Sequence, residues 1–247
     1  MLPSDEPILT VLLCGAIAAV VAGLGAVPFA RSGGVPRVVL GAAYALASGF
    51  MLAASYLLME EGIKGAPLTV IAGAIVGTGY SFWSQRFAGI EGAGLSPELI
   101  GSELGGYKIL LQNALHAASE GLAIGAAMAV SLPLGIYVAG ALALHNVAEG
   151  MALSAALRTR GMKRGDAAAM CVITNVPQPL MAVVAFALVA AAPWLLPPIL
   201  GVAAGSLLYL VMTELLPSSY VRAGNTRVAL VVSTSAALVV LLRRFLE

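Results

Sequence analysis

Charged residues and histidines are both scarce in this chain. Of its 247 residues, 13 are Lys or Arg, 12 are Asp or Glu, and two are histidine. Hydrophobic residues make up 60% of the chain and its mean hydropathy is +0.96, values outside the range of a soluble domain. A net charge of +1 provides no basic surface for nucleic acid, and no P-loop is present to bind a nucleotide. The composition therefore predicts a polytopic membrane protein.

Windows of about 20 apolar residues, the length that crosses a bilayer core, occur eight times along the chain. They cover approximately residues 8–30, 36–59, 66–87, 107–131, 134–158, 167–192, 197–217 and 226–246. The sequence thus predicts an all-α fold of eight transmembrane helices, forming a single transmembrane domain over residues 1–247.

The distribution of Lys and Arg predicts the orientation of these spans. Ten of the 13 fall in the connections after the first, third, fifth and seventh spans: Arg31, Arg37, Arg86, Lys108, Arg158, Arg160, Lys163, Arg164, Arg222 and Arg227. The opposite side has Lys64, Arg243 and Arg244. By the positive-inside rule the first group faces the cytoplasm, so we expect both termini outside and the long connection over residues 88–106 inside.

Each of the two histidines begins the pattern His-x-x-x-Glu-Gly, once at residues 116–121 and again at residues 145–150. Residues four apart share a helix face, so each copy presents an imidazole and a carboxylate together. Both copies lie inside predicted spans, where ionisable residues are costly and commonly mark an ion pathway. A single histidine within the membrane often does no more than hydrogen-bond to a neighbouring helix. Two copies of the same His and Glu motif on consecutive spans favour a metal site instead.

The spacing of the two copies places them at the same depth. If the fourth and fifth spans form an antiparallel pair around Leu132, Glu120 is level with His145, and His116 is level with Glu149. A rise of 1.5 Å per residue puts all four roughly 19 to 25 Å from the turn, near mid-membrane. One divalent cation, two carboxylates and two neutral imidazoles have no net charge, which lowers the cost of burial. We therefore predict a metal site built from these four residues.

These features resemble the ZIP (Zrt/Irt-like) family of divalent metal transporters. The resemblance rests on the repeated motif, the eight spans and the long third connection, with weaker glycine-rich matches at residues 49–55, 204–209 and 214–217. It implies that the fourth and fifth spans line a metal site, often with two adjacent metal positions. It also implies a homodimer, and an elevator-like or rocking alternating-access mechanism.

The chain departs from the family pattern at the second of these metal positions. The asparagine usual after the first histidine is Ala117, the position after the second histidine is Asn146, and the glutamate usual in the sixth span is Gln178. Neutral amides hold a second dication poorly. We therefore expect a single-metal site, with Asn146 and Gln178 as auxiliary groups that support the ligands.

Two further polar residues are candidates for auxiliary roles. Gln112 precedes His116 by four residues and shares its face, so it would either assist the ion or hydrogen-bond to a neighbouring helix. Glu214 is near the predicted inner end of the seventh span, where it would either pass metal to the cytoplasm or lie at the interface.

Together these observations predict a carrier in the inner (cell) membrane that moves a divalent cation into the cytoplasm, with no enzymatic activity and no cofactor. Its partners would be the metal ion, the lipid bilayer and a second copy of the chain. Histidine and carboxylate ligands suit Zn²⁺ best, and also Fe²⁺, Mn²⁺, Co²⁺ or Cd²⁺. Two alternatives use the same residues: an intramembrane metal-dependent hydrolase, and a metal-independent carrier in which the His and Glu pairs relay protons.

Overall fold

The computed structural model describes residues 7–30, 35–88 and 103–246, and all secondary structure in these ranges is helical. A 3₁₀ segment, Ala22–Ala30, continues the first helix, and a π-helical turn, Val211–Leu215, joins the eighth helix to the ninth. In chain order the helices are α1 (Pro7–Val21), α2 (Arg37–Gly65), α3 (Pro67–Ala88), α4 (Glu103–Val130), α5 (Leu132–Thr159), α6 (Arg164–Thr174), α7 (Pro177–Ala191), α8 (Leu196–Leu210), α9 (Leu216–Ala223) and α10 (Asn225–Leu246).

Six helical segments in the described ranges are long and apolar enough to cross a membrane, so the chain is a multi-pass membrane protein. They are Pro7–Pro28, Arg37–Gly65, Leu132–Thr159, Arg164–Ala191, Pro193–Ala223 and Asn225–Arg243. The predicted third and fourth spans coincide with α3 and α4, which are 22 and 28 residues long but are not among the six. The motif residues of α4 are themselves polar, and this lowers its hydropathy.

Two predicted boundaries need correction. Helix α2 continues to Gly65, so Glu60 and Glu61 lie within it rather than beyond its end. Helix α4 begins at Glu103, so the predicted loop over residues 88–106 is shorter at its C-terminal end; residues 89–102 lie outside the described ranges.

The predicted sixth span is two helices rather than one. Helix α6 ends at Thr174, and α7 begins at Pro177. Pro177 has no N–H to donate to a carbonyl of the preceding turn, so the helical hydrogen-bond pattern is interrupted at this point. The Asn175 side chain donates to the Cys171 carbonyl at 2.9 Å, which satisfies one of the carbonyls at the end of α6. The break places Gln178 in the first turn of α7.

Helices α4 and α5 are antiparallel neighbours joined at Ser131, whose hydroxyl accepts a hydrogen bond from the Leu134 N–H at 3.3 Å. Between this turn and the motif residues, both helices contribute to the largest apolar cluster, which includes Ile124, Val138 and Leu142. These three side chains are fully buried. The motif residues are therefore separated from the turn side of the protein by a dry, packed layer.

The same side of the protein carries an ionic contact between α2 and α10. Arg243 contacts the carboxylates of both Glu60 and Glu61, and Lys64 pairs with Glu61 at 2.8 Å. These paired charges connect the C-terminal end of α2 to α10. The same residues line a cavity between α2, α5 and α10.

Candidate metal centre

The four motif side chains converge midway along α4 and α5. The Nε2 atom of His145 lies 2.9 Å from Oε1 of Glu120, and Nε2 of His116 lies 3.6 Å from the same oxygen. The Glu149 carboxylate lies 3.8 Å from Nδ1 of His116 and 3.8 Å from Nε2 of His145. The two imidazole rings stack with centroids 5.9 Å apart and planes inclined by 22°. These contacts match the expectation from the spacing, in which Glu120 is level with His145 and His116 is level with Glu149.

The four side chains are buried to different extents, so one side of the site is closer to solvent than the other. Glu120 and His145 are fully buried and His116 is 4% exposed, whereas the Glu149 side chain is 12% exposed. Ligand atoms of His116, Glu120 and His145 lie within 4.8 Å of one another, close enough to surround one ion. Glu149 closes the group on the side from which solvent reaches it.

Several polar atoms face one another here at close range, but the angles between them are not those of a hydrogen bond. They are Nε2 of His116, Oε1 of Glu120, Nε2 of His145 and Oε2 of Glu149, all buried. Leaving a buried polar atom unpaired costs about 1–3 kcal/mol, and more for a charged group. Nitrogen lone pairs and carboxylate oxygens are the donor set that Zn²⁺ and related divalent cations prefer. The cluster can therefore hold such a cation.

The two predicted auxiliary amides lie directly behind Glu120. The Gln178 side chain donates from Nε2 to Oε2 of Glu120 at 3.0 Å. Asn146 donates from Nδ2 to Oε1 of Gln178 at 2.9 Å, and also to the backbone carbonyl of Ala18 in α1 at 2.9 Å. Gln178 thus contacts Glu120 directly, and Asn146 contacts Gln178, at the carboxylate oxygen that does not face the histidines.

The other two predicted auxiliaries, Gln112 and Glu214, lie outside the four-residue cluster. Both line a cavity of about 320 Å³ that begins at His116 and Glu149. Both amide atoms of Gln112 are buried without a hydrogen-bond partner, and its side chain is 6% exposed. Glu214 lies in the π-helical turn, and the preceding residue, Thr213, accepts a hydrogen bond from the Gln85 side chain at 3.3 Å. Isolated π-helical turns often occur at functional positions.

The same cavity extends to the helix ends that carry the basic residues. Its far lining includes Thr159 at the end of α5 and Arg222 in α9. These positions belong to the side with ten of the 13 Lys and Arg residues. The cluster is thus open toward the basic side and separated from the opposite side by the apolar layer.

The motif glycines allow neighbouring segments to pack closely against α4 and α5. A Cβ atom at Gly121 would overlap the carbonyl oxygen of Gln178, and one at Gly150 would overlap the carbonyl oxygen of Ala22. The absence of side chains lets α7 and the 3₁₀ segment approach the ligand-bearing helices at backbone contact. The only available signal was their position, directly after each motif glutamate.

Comparison with known proteins agrees with this geometry. A family model described as ZIP zinc transporter matches residues 92–240, a range that contains all four clustered residues and is more than half of the chain. A relative from Arabidopsis thaliana, named "Putative zinc transporter", is 32% identical over 232 residues. The alignment covers 92% of this chain but 37% of the relative, so the chain spans little more than a third of that protein's length. The chain belongs to the ZIP zinc transporter family.

Proposed function

We propose that the protein transports a divalent cation, Zn²⁺ foremost, across the inner (cell) membrane into the cytoplasm. The observation that carries this proposal is the convergence of buried nitrogen and carboxylate atoms from both motif copies. His116, Glu120, His145 and Glu149 would bind the ion, and two carboxylates would balance its charge in a low-dielectric interior. Fe²⁺, Mn²⁺, Co²⁺ and Cd²⁺ share enough of this chemistry to be alternative substrates.

The cavity supports release toward the cytoplasm. It joins Glu149 to the basic side of the protein, which the positive-inside rule assigns to the cytoplasm. Glu214 and Gln112 line this path and would offer oxygen atoms to an ion that leaves the four-residue site. In this arrangement α3 and α4 also cross the membrane, giving eight spans with both termini outside.

Alternating access would require the apolar layer on the opposite side to open while the cavity closes. Family membership supports an elevator-like or rocking movement of this kind, and a homodimer. No cofactor is needed, because the metal is the substrate, and no nucleotide or nucleic acid takes part.

Two other functions use the same residues. A metal-dependent hydrolase would need an open coordination position and a general base, whereas all four clustered side chains are available here as ligands. A proton-coupled carrier would need no metal. Purified protein in proteoliposomes separates the three: we expect accumulation of Zn²⁺ with no hydrolysis of lipid or peptide. Hydrolysis without uptake would support the enzyme, and proton flux unaffected by metal would support the relay.

The number of ions bound at the site is a specific expectation. We predict one tightly held Zn²⁺ per protomer, because the side of Glu120 opposite the histidines is occupied by the Gln178 amide. Elemental analysis and anomalous scattering of Zn²⁺-loaded protein measure this number. Two fully occupied adjacent positions at low micromolar Zn²⁺ would show that the amides do not limit the site.

Metal binding should also depend on pH. Imidazole and carboxylate groups bind metal in their deprotonated forms, so protons compete with Zn²⁺ for the site. Over the range from about pH 7.5 to about pH 5.5, which brackets the reference histidine pKa of about 6.5, we expect affinity to fall at least tenfold. Calorimetry in buffers of different ionisation enthalpy measures the released protons. A flat affinity with no proton release would exclude the His and Glu site.

A further inference from the structure

The two amides behind Glu120 have a fixed orientation. A backbone carbonyl only accepts hydrogen bonds, so Asn146 must direct its NH₂ group toward the Ala18 oxygen, 2.9 Å away. The same NH₂ group donates to Gln178, whose carbonyl oxygen must therefore face Asn146. This leaves the NH₂ group of Gln178 pointing at Glu120. One backbone carbonyl thus sets the direction of both side-chain amides.

This orientation gives the two oxygens of the Glu120 carboxylate different neighbours. Oε2 accepts from Gln178 at 3.0 Å, whereas Oε1 faces His145 at 2.9 Å and His116 at 3.6 Å. The side chains of Glu120, Asn146 and Gln178 are all fully buried, so water does not compete for these contacts. Oε1 is therefore the oxygen available to an ion beside the histidines.

Close backbone packing keeps the amide in reach. Gly121 lies against the backbone carbonyl of Gln178, so the residue after Glu120 docks directly on α7. The hydrogen bonds run from α1 through α5 and α7 to α4, and they join the four helices around the carboxylate.

We propose that Asn146 and Gln178 form an amide relay that holds Glu120 as a one-oxygen ligand and thereby sets the ion selectivity of the site. The proposal rests on the proposed transport function and deepens it. One-oxygen coordination keeps the number of ligand atoms low, which suits the four-coordinate preference of Zn²⁺. A carboxylate released from the amide could bind through both oxygens and would accommodate a larger ion better. Asn146 and Gln178 are positioning residues, since they act on the ion through Glu120.

The test compares Gln178→Met and Asn146→Leu, which remove hydrogen bonds while keeping similar volumes. Each should weaken Zn²⁺ binding by about 10- to 100-fold, the usual effect of losing a group that orients a metal ligand. Cd²⁺ binding should fall less than threefold, so the Zn²⁺ to Cd²⁺ affinity ratio drops. The double variant should be no weaker than Gln178→Met alone, because both changes break one chain of hydrogen bonds.

Asn113→Leu is the matched control. Asn113 is also buried and also links two helices, through a 3.1 Å hydrogen bond from its amide to Thr174 in α6. Its loss should lower thermal stability without changing the Zn²⁺ to Cd²⁺ ratio, which separates positioning from a purely structural role. Binding is measured by calorimetry on purified protein, with unfolding followed in the same detergent.

The outcomes are distinguishable. Wild-type protein that neither binds nor transports Zn²⁺ would refute the transport function. Wild-type binding combined with an unchanged Zn²⁺ to Cd²⁺ ratio in both variants, or with strictly additive losses in the double variant, would refute the relay alone. If neither variant folds, zinc X-ray absorption on the wild type decides: a one-oxygen carboxylate supports the relay, and a two-oxygen carboxylate overturns it.

Discussion

Substitution of either His116 or Glu149 by alanine should abolish divalent-cation transport while the protein still inserts and folds. The two residues come from different helices, and their side chains lie 3.8 Å apart in the same buried cluster, where each would supply one ligand atom. Without Glu149, a bound dication would face a single carboxylate, leaving an uncompensated positive charge. Breaking a buried charge pair costs about 3–5 kcal/mol, which corresponds to a loss of affinity on the order of 10² to nearly 10⁴-fold.

The measurement is Zn²⁺ uptake into proteoliposomes at matched protein abundance, with thermal unfolding to verify folding. Asp166→Asn is a suitable control because it removes an exposed carboxylate at the start of α6, outside the cluster. We expect this variant to retain wild-type uptake. Normal uptake by both His116→Ala and Glu149→Ala would remove the basis for placing the transported ion between the two motifs.

The four clustered residues could be predicted because their spacing obeys helix geometry. A period of 3.6 residues puts His116 and Glu120 on one face, and a short turn near Ser131 fixes the register of the second helix. The observed 2.9 Å contact between His145 and Glu120 agrees with these two rules. Metal binding by the cluster stays a prediction until it is measured.

The surroundings of the cluster could not be predicted in the same way. The partner of Asn146 on α1 is a backbone carbonyl, and every residue has one, so the sequence carries no mark of Ala18. The π-helical turn at Glu214 was likewise not predicted from the sequence. Six spans are strongly apolar, whereas α3 and α4 are less so, because glycine and polar residues lower their hydropathy.

The motif glycines lead to a second large effect. Gly150→Ala should destabilise the protein, because its new Cβ would overlap the carbonyl oxygen of Ala22 in the 3₁₀ segment. A backbone atom cannot rotate aside as a side chain can, so α5 must move away from the segment. Overpacking of this kind typically costs about 1–3 kcal/mol. Since Glu149 is the adjacent residue, we also expect weaker Zn²⁺ binding.

Gly140 provides a matched comparison in the same helix. It is exposed, and no atom lies within 4 Å of the position where its Cβ would be built. Gly140→Ala should therefore leave the free energy of unfolding unchanged or raise it by up to about 1 kcal/mol, because alanine is more favourable than glycine inside a helix. Thermal unfolding of both variants in one detergent, with Zn²⁺ affinity measured alongside, checks the prediction. Equal stability of Gly140→Ala and Gly150→Ala would mean that α5 and the 3₁₀ segment do not pack at backbone contact, and that the glycine after each motif glutamate serves another purpose.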